Sequence, residues 1–324
     1  MYSSDCGIAG NLPLLSISYA TRESITNGVY YIRNHNSGKY IDVIGQSTES
    51  AKTIHQWNFH GAPCQQWKIT HVGNNWYTIR PQHAPNMAMD VYNNSSGNGV
   101  KVQQFTYHGR DNQQFGFYKQ SNDGTYRIVT KSSLGTRNLS VQSASTANGA
   151  IIHQYGYGGA NDFWWLEKAE TKNLDYKNEK VLSYAIPVGD ETMGTVIPYA
   201  VRVEQDVSIV EHRSPTQKSL YKLIIISHHD RYENPELTGV FQFNNSRLTI
   251  DNLDCTNLLK EREAPNIIPS DWLNRHNIVW DGDEAYINKV YNINTNYSVS
   301  ILTTLIVPNA LFTYGESDFK ISIN

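Results

Sequence analysis

Three polar groupings in this chain carry side chains that could do chemistry. Ser227-His228-His229-Asp230 has the residue types of a hydrolytic or metal-binding set. Its histidines are adjacent, at the end of an apolar strand-like run. Neighbours on a strand point to opposite faces, so the two rings do not converge. Asp281-Gly282-Asp283-Glu284 brings three carboxylates into four positions. It lacks the spaced ligands of a calcium loop and reads as an acidic turn. Cys255 has a histidine downstream, His276, but no nucleophile motif surrounds it. The cysteines, Cys6, Cys64 and Cys255, are too sparse for a disulfide framework or a zinc pattern. These residues predict no enzyme, no cofactor and no metal site.

Composition points to recognition instead. The chain has 324 residues, enough for two domains. Only 18% of residues are charged, so its polarity comes from Asn, Gln, Ser, Thr and Tyr. Twenty-one tyrosines against four methionines favour strands and a contact surface over helical packing. A net charge of −3 excludes a nucleic-acid footprint. No apolar run reaches the roughly 20 residues of a membrane helix. The N-terminus has no basic leader, and Pro13 interrupts the apolar patch Leu12–Leu15. The expectation is a soluble protein, cytoplasmic or released without an obvious signal peptide.

The elements that must position any site repeat. Gln65-Gln66-Trp67 returns as Gln113-Gln114-Phe115 and as Asn161-Asp162-Phe163-Trp164, placing aromatics at 67, 115 and 164. An interval of about 48 residues marks one unit used three times. Each unit reads as four short strands separated by turn residues. The first has Gly28–Ile32, Tyr40–Val43, Thr53–Trp57 and Gln65–Ile69. The second has Trp76–Arg80, Met87–Val91, Val100–Phe105 and Asn112–Phe115. The third has Thr125–Val129, Arg137–Val141, Ile151–Tyr155 and Asn161–Trp164. One unit is too small to bury a core. Three around a pseudo-threefold axis close a small barrel, with Trp67, Phe115 and Trp164 as one buried ring.

These closures, with the Asp42-Val43 and Asp90-Val91 strands and three matching aromatic strands, resemble the ricin-B-type lectin module over residues 27–168. The resemblance implies a β-trefoil that binds sugars of galactose type. In that family an Asp on the second strand accepts from sugar hydroxyls. An aromatic on the third stacks on the C–H face, and an Asn before the closing motif adds a donor. Carried over residue by residue, the second repeat keeps Asp90, Phe105 and Asn112, with Gln103 and Gln113 beside them. The first keeps Asp42 and Trp57, with His55 and Gln65, but holds Cys64 where the Asn belongs. The third keeps Tyr155 and Asn161, while Ser140 replaces the Asp and Asp162 the Gln. His55 and His153 are expected at the exposed rim.

The expected organisation is all-β. An N-terminal arm (1–26) precedes the trefoil of three repeats (27–168), then a charged linker (169–180) and a second β-rich domain (181–324). In that last domain, Tyr291 to Ile301 alternates strictly and reads as one two-faced strand. Asn257–Glu263 is the one stretch with helical character. Two roles fit the second half. One is oligomerisation of a multivalent lectin that engages glycans on glycoproteins or glycolipids, and through them a membrane surface. The other is a pore-forming toxin module, since Met193–Tyr199 and Leu305–Ile321 resemble segments of insecticidal bacterial binary toxins. Against the toxin role, the sequence offers no evident partner strand of similar character for the alternating run.

Overall fold

The structure, a computed structural model, describes residues 22–120, 123–187, 196–231, 242–261, 279–306 and 316–323. Most of the expected N-terminal arm, Cys6, His276 and the centre of the Leu305–Ile321 segment lie outside the described residues.

Twelve short strands build the first domain. They are β1 (Gly28–Asn34), β2 (Tyr40–Val43), β3 (Lys52–Trp57), β4 (Trp67–Gly73), β5 (Trp76–Pro81) and β6 (Met87–Val91), then β7 (Val100–Thr106), β8 (Phe115–Lys119), β9 (Tyr126–Thr130), β10 (Asn138–Val141), β11 (Ile152–Tyr155) and β12 (Phe163–Lys168). Antiparallel pairing runs β1–β4–β5–β8–β9–β12 and returns to β1, which closes a six-stranded barrel. Closure removes the sheet edges that a short strand otherwise exposes. The hairpins β2–β3, β6–β7 and β10–β11 cover one end. This is a β-trefoil. Trp67, Phe115 and Trp164 are fully buried in one apolar cluster with Ile32, Ile79 and Ile128. The indoles also position the sites. Trp67 Nε1 donates to the Ile41 carbonyl and Trp164 Nε1 to that of Leu139, both at 3.0 Å. Each bond fixes the strand residue just before Asp42 or Ser140.

A second device locks the three hairpins together. Gln56, Gln104 and Gln154 are fully buried. Gln56 Nε2 donates to the carbonyls of Ser145 and Ala147, Gln104 to Ser47 and Glu49, and Gln154 to Ser95 and Gly97. Repeat one thus grips repeat three, two grips one, and three grips two. Side chains alternate along a strand. With each glutamine turned inward, its neighbours 55 and 57, 103 and 105, or 153 and 155 fall on the opposite face.

The second domain has two antiparallel sheets. β13 (Glu170–Pro187), β14 (Val196–Arg213), β15 (Gln217–Arg231), β19 (Val279–Asn292) and β18 (Leu259–Glu261) form one. β17 (Leu253–Asp254), β16 (Gln242–Ile250), β20 (Tyr297–Ile306) and β21 (Glu316–Ile323) form the other. Val207, Ile209, Leu223 and Ile225 of the first sheet share a buried cluster with Leu248, Val299, Ile301 and Ile321 of the second.

Several expectations are corrected here. Residues 170–180 are no linker but the first part of β13, paired along its whole length with β14. Leu174 and Tyr176 alternate with charged residues and pack on the second core, so the charges that resembled a linker are the outer face of a strand. The alternating run 291–301 is not one strand. β19 ends at Asn292, Asn292–Thr295 closes a turn, and β20 begins at Tyr297. Where helical character is expected, a short 3-10 turn over Thr256–Leu258 leads into β18, and residues 262 and 263 lie outside the described residues. Asp281–Glu284 lies inside β19 rather than in a turn, and Glu284 pairs with Lys222 at 2.5 Å.

Candidate functional site

Each site lies where the β2–β3, β6–β7 or β10–β11 hairpin meets the loop that follows it. In the second repeat Asp90 stands on β6 directly across from Gln103 on β7. Asp90 Oδ1 accepts from Gln103 Nε2 at 3.1 Å. Its Oδ2 accepts from Asn112 Nδ2 at 2.7 Å and Gln113 Nε2 at 3.1 Å. The carboxylate is 2% exposed. Burial pushes its pKa above the ordinary carboxylate value, and the hydrogen bonds from Gln103 and Gln113 with the nearby His108 offset only part of that. Gln103 Oε1 and Asn112 Oδ1 are buried acceptors without a hydrogen-bond partner among the described residues. Asp90, Gln103 and Asn112 line one pocket of about 320 Å³ together with Tyr92, Phe105, His108 and Arg110.

The first repeat has the same plan with different chemistry. Asp42 faces His55 across the β2–β3 pair. Asp42 Oδ2 lies 2.7 Å from His60 Nε2, and Oδ1 lies 3.7 Å from His55 Nε2. Burial again raises the carboxyl, but hydrogen bonds from His55 and His60 outweigh it and hold its pKa below the ordinary value. Cys64 fills the Asn position. Burial raises its thiol, and the charge of Asp42 and a hydrogen bond to it raise it further. The pocket here measures about 590 Å³ and is lined by Asp42, Ile44, Gln46, His55, Trp57 and His60, with Gly149 from the third repeat. Trp57 is 40% exposed, and its ring stacks at 5.4 Å on His55.

The third repeat lacks the strand carboxylate. Asn161 Nδ2 donates to Ser140 Oγ at 2.9 Å, and Tyr155, 44% exposed, stacks on His153. Asp162 is fully buried and accepts from the Gly158 N–H at 2.6 Å.

One wall of each of the first two sites is a turn with two successive left-handed residues, at 45–46 and 93–94, and the third repeat has the same turn at 143–144. The first turn uses Gly45, and the others use Asn93 and Ser143. Short polar side chains bond locally and tolerate that conformation.

Three features depart from the sequence reading. His55 and His153 are not rim residues; they are 7% and 9% exposed and lie against the stacking aromatics. Gln65 and Gln113 are fully buried loop braces. Gln65 Oε1 accepts from the His60 and Gly61 N–H groups, and Gln113 Oε1 from those of His108 and Gly109. His60 and His108, one on each of the first two carboxylates, were missed. Their signal is in the repeat itself: Phe59-His60-Gly61 and Tyr107-His108-Gly109 recur 48 residues apart.

Asp42, His60 and Cys64 also bring three possible metal-ligand atoms within 4.8 Å of one another. His60 Nδ1 accepts from the Ala62 N–H at 3.2 Å, so Nε2 carries the proton and donates to Asp42. A metal ion on Nε2 would force that proton onto Nδ1, against a second donor. The three side chains are therefore a hydrogen-bonded network. His108 repeats the arrangement, with Nδ1 accepting from Arg110 at 3.2 Å.

A closed six-stranded barrel, three covering hairpins and a polar site on each define a β-trefoil of the kind found in lectins. The family model for the ricin-type beta-trefoil lectin domain-like group matches residues 18–105 and 108–184, just over half of the chain. The chain belongs to that family. A designed threefold-symmetric protein, ThreeFoil, is 36% identical; the match covers 43% of this chain and 98% of that one, with a TM-score of 0.41. An exo-beta-1,3-galactanase from Clostridium thermocellum is 33% identical over 44% of this chain and 31% of its own, with a TM-score of 0.41. A mosquitocidal holotoxin matches 68% of this chain and 29% of its own at 16% identity and a TM-score of 0.44. The clotting factor G alpha subunit of Tachypleus tridentatus is 35% identical over 64 residues, which span 20% of this chain and 10% of that protein.

Proposed function

We propose that this chain is a carbohydrate-binding lectin that recognises galactose-type glycans through its first and second repeats. The observation that carries the reading is the donor–acceptor balance in the second repeat. Asp90, Gln103 Oε1 and Asn112 Oδ1 place acceptors in one pocket beside Phe105. Sugar hydroxyls supply donors, and an apolar C–H face supplies a surface for the ring. A buried acceptor left unmatched costs roughly 1–3 kcal/mol, so a hydroxylated ligand gains by matching it. In the first repeat the same roles fall to Asp42, His55 and Trp57, and the third keeps only Tyr155 and Asn161 beside Ser140. The galactose preference follows the family resemblance. The role is binding, with no catalytic residue assigned.

Two sites on one chain make a weak binder multivalent. The second domain raises the valency further if copies associate, and β13, at the end of its sheet order, offers backbone groups for such a contact. A glycan array on the intact protein tests the reading. The unsubstituted chain should mark galactose-terminated glycans. A folded Asp42→Ala, Asp90→Ala chain should lose them, and retained binding by that chain overturns the assignment.

A second reading, a lectin-targeted pore-forming toxin, is favoured by one observation. β13 and β14 form a hairpin paired over 18 residues of each strand, whereas about 9–11 tilted residues per strand span a bilayer. Dye release from galactolipid-bearing liposomes supports the toxin, and red-cell agglutination without leakage overturns it.

A further inference from the structure

The loop after the stacking aromatic is not equally free in the three repeats. Phe59, Tyr107 and Tyr157 occupy equivalent positions, yet Phe59 is 7% exposed while the tyrosines are 38% and 64% exposed. Phe59 clusters with Tyr31 and Tyr40, and Ala169 and Val290, the latter from β19 of the second domain, pack against that cluster. Two residues on, the Gly61 carbonyl accepts from Gln66 Nε2 at 3.0 Å, Tyr31 Oη at 3.3 Å and, across the domain boundary, His212 Nδ1 at 2.6 Å. A carbonyl only accepts, so Nδ1 of His212 carries the proton. Gly61 has a φ of +73° and no room for a side chain. A Cβ there would lie 2.8 Å from Ser219 Cβ and 3.2 Å from His212 Cβ. The His212 ring stacks on Tyr221 at 4.3 Å, and Tyr221 packs on the trefoil core that includes Ala62 and Cys64.

The other side of the same loop is the first-repeat site. Gln65 ties the N–H groups of His60 and Gly61 together, and His60 reaches Asp42. An unbroken line of bonds therefore runs from His212 through Gly61 and His60 to Asp42. Among the described residues the second repeat has no such line. Its Gly109 carbonyl accepts from Gln114 at 2.8 Å, and the atoms nearest a Cβ on Gly109 would belong to Tyr107 of the same loop, at 3.3 Å and beyond.

We infer that the second domain completes the first-repeat site: His212 and Tyr221 are positioning residues that hold the 58–65 loop, so glycan occupancy at Asp42 and the seating of the second domain on the trefoil are linked, whereas occupancy at Asp90 is not. The inference rests on the carbohydrate reading above. Linkage is reciprocal, so each event strengthens the other by the same factor. The physical carrier is the loop, whose arrangement both partners bias. The arrangement distinguishes two sites on one chain, one sensed by the rest of the protein and one independent of it.

Methyl β-galactoside is the probe, and each site is isolated by silencing the other. In the full-length Asp90→Ala chain, where the first site remains, adding His212→Ala should weaken binding about tenfold. In the Asp42→Ala chain the same change should leave binding within about twofold. His212→Asn keeps an N–H donor near the Nδ1 position and should restore first-site binding; His212→Gln, with its donor displaced, should not. A merely structural contribution would not separate these two amides. Hydrogen exchange tests the chain with His212 intact: galactoside should protect amides of residues 209–221 in Asp90→Ala and not in Asp42→Ala. Equal weakening in both backgrounds, or no protection in the first, overturns the coupling alone. Binding by a folded Asp42→Ala, Asp90→Ala chain overturns the carbohydrate assignment and the coupling with it.

Discussion

The first and second repeats share a backbone and differ in what surrounds one carboxylate. Asp90 is ringed by the amides of Gln103, Asn112 and Gln113. Asp42 is ringed by His55, His60 and a thiol. Amides donate without carrying charge, so the buried Asp90 is incompletely compensated and its pKa rises. Burial raises the pKa of Asp42 as well, but its contacts with His60 at 2.7 Å and His55 at 3.7 Å outweigh that and the pKa falls. The same fold position thus has unmatched buried acceptors beside it in one repeat, among the described residues, and a network of histidines and a thiol in the other. The difference teaches that a site's readiness lies in its partners more than in the functional residue itself.

The comparison can be broken most severely at Asp90. Hydrogen bonds to a charged acceptor contribute roughly 1.5–3 kcal/mol each, so Asp90→Ala should weaken galactoside binding at the second repeat at least about 100-fold. Titration of the purified variant in the Asp42→Ala background reads this directly. Next comes stability. Asp42→Asn removes the charge that two histidines share and should cost about 2 kcal/mol in urea unfolding. Asp90→Asn should change stability by no more than about 0.5 kcal/mol while losing binding, because Gln103 Oε1 has no partner among the described residues and can accept from the new amide after rotation. Equal destabilisation by the two substitutions would remove the contrast.

Acidification separates the repeats by sign. Asp42 titrates below the ordinary 3.8, so its stabilising contribution is complete above that value and is lost as pH falls through the lower folded value. Asp90 titrates above 3.8, so the native protein takes up this proton first. That relieves a cost to folding but removes the acceptor. As the pH falls toward the ordinary carboxylate range, galactoside should leave the Asp42→Ala chain before it leaves the Asp90→Ala chain. The smallest effect is expected from Cys64→Asn, which replaces a weak donor with an amide beside Asp42. It should strengthen first-repeat binding about threefold, less than one full hydrogen bond, because Cys64 is fully buried and leaves little room for the larger amide. A loss of affinity on that change would show that the thiol is not standing in for the amide.

The trefoil was legible because its signal is redundant. Buried aromatics at 67, 115 and 164 repeat in register, and four strands per unit follow from turn residues between apolar runs. The interlock by Gln56, Gln104 and Gln154 was not, because a glutamine in a strand is equally consistent with a solvent-facing side chain. Its partners lie in another repeat. The burial of His55 and His153 depends on those inward glutamines, which turn their neighbours beneath the stacking rings. His60 and His108 were readable in principle, as a repeated aromatic-His-Gly, but became meaningful only when the loop folded onto the carboxylate. In the second domain no repeat corrects a local misreading. The charged face of β13 resembled a linker, and alternation from Tyr291 to Ile301 continued in phase through the turn that joins the two sheets. Spacing alone does not reveal where a chain reverses.

The central claim is that two repeats, chemically unlike, each hold one galactose-type ligand. Calorimetric titration of methyl β-galactoside into the full-length protein counts them. The account predicts two ligands per chain for the unsubstituted protein, one each for Asp42→Ala and Asp90→Ala, and none for the double variant. A stoichiometry that stays the same when either aspartate is removed from a folded chain would contradict it.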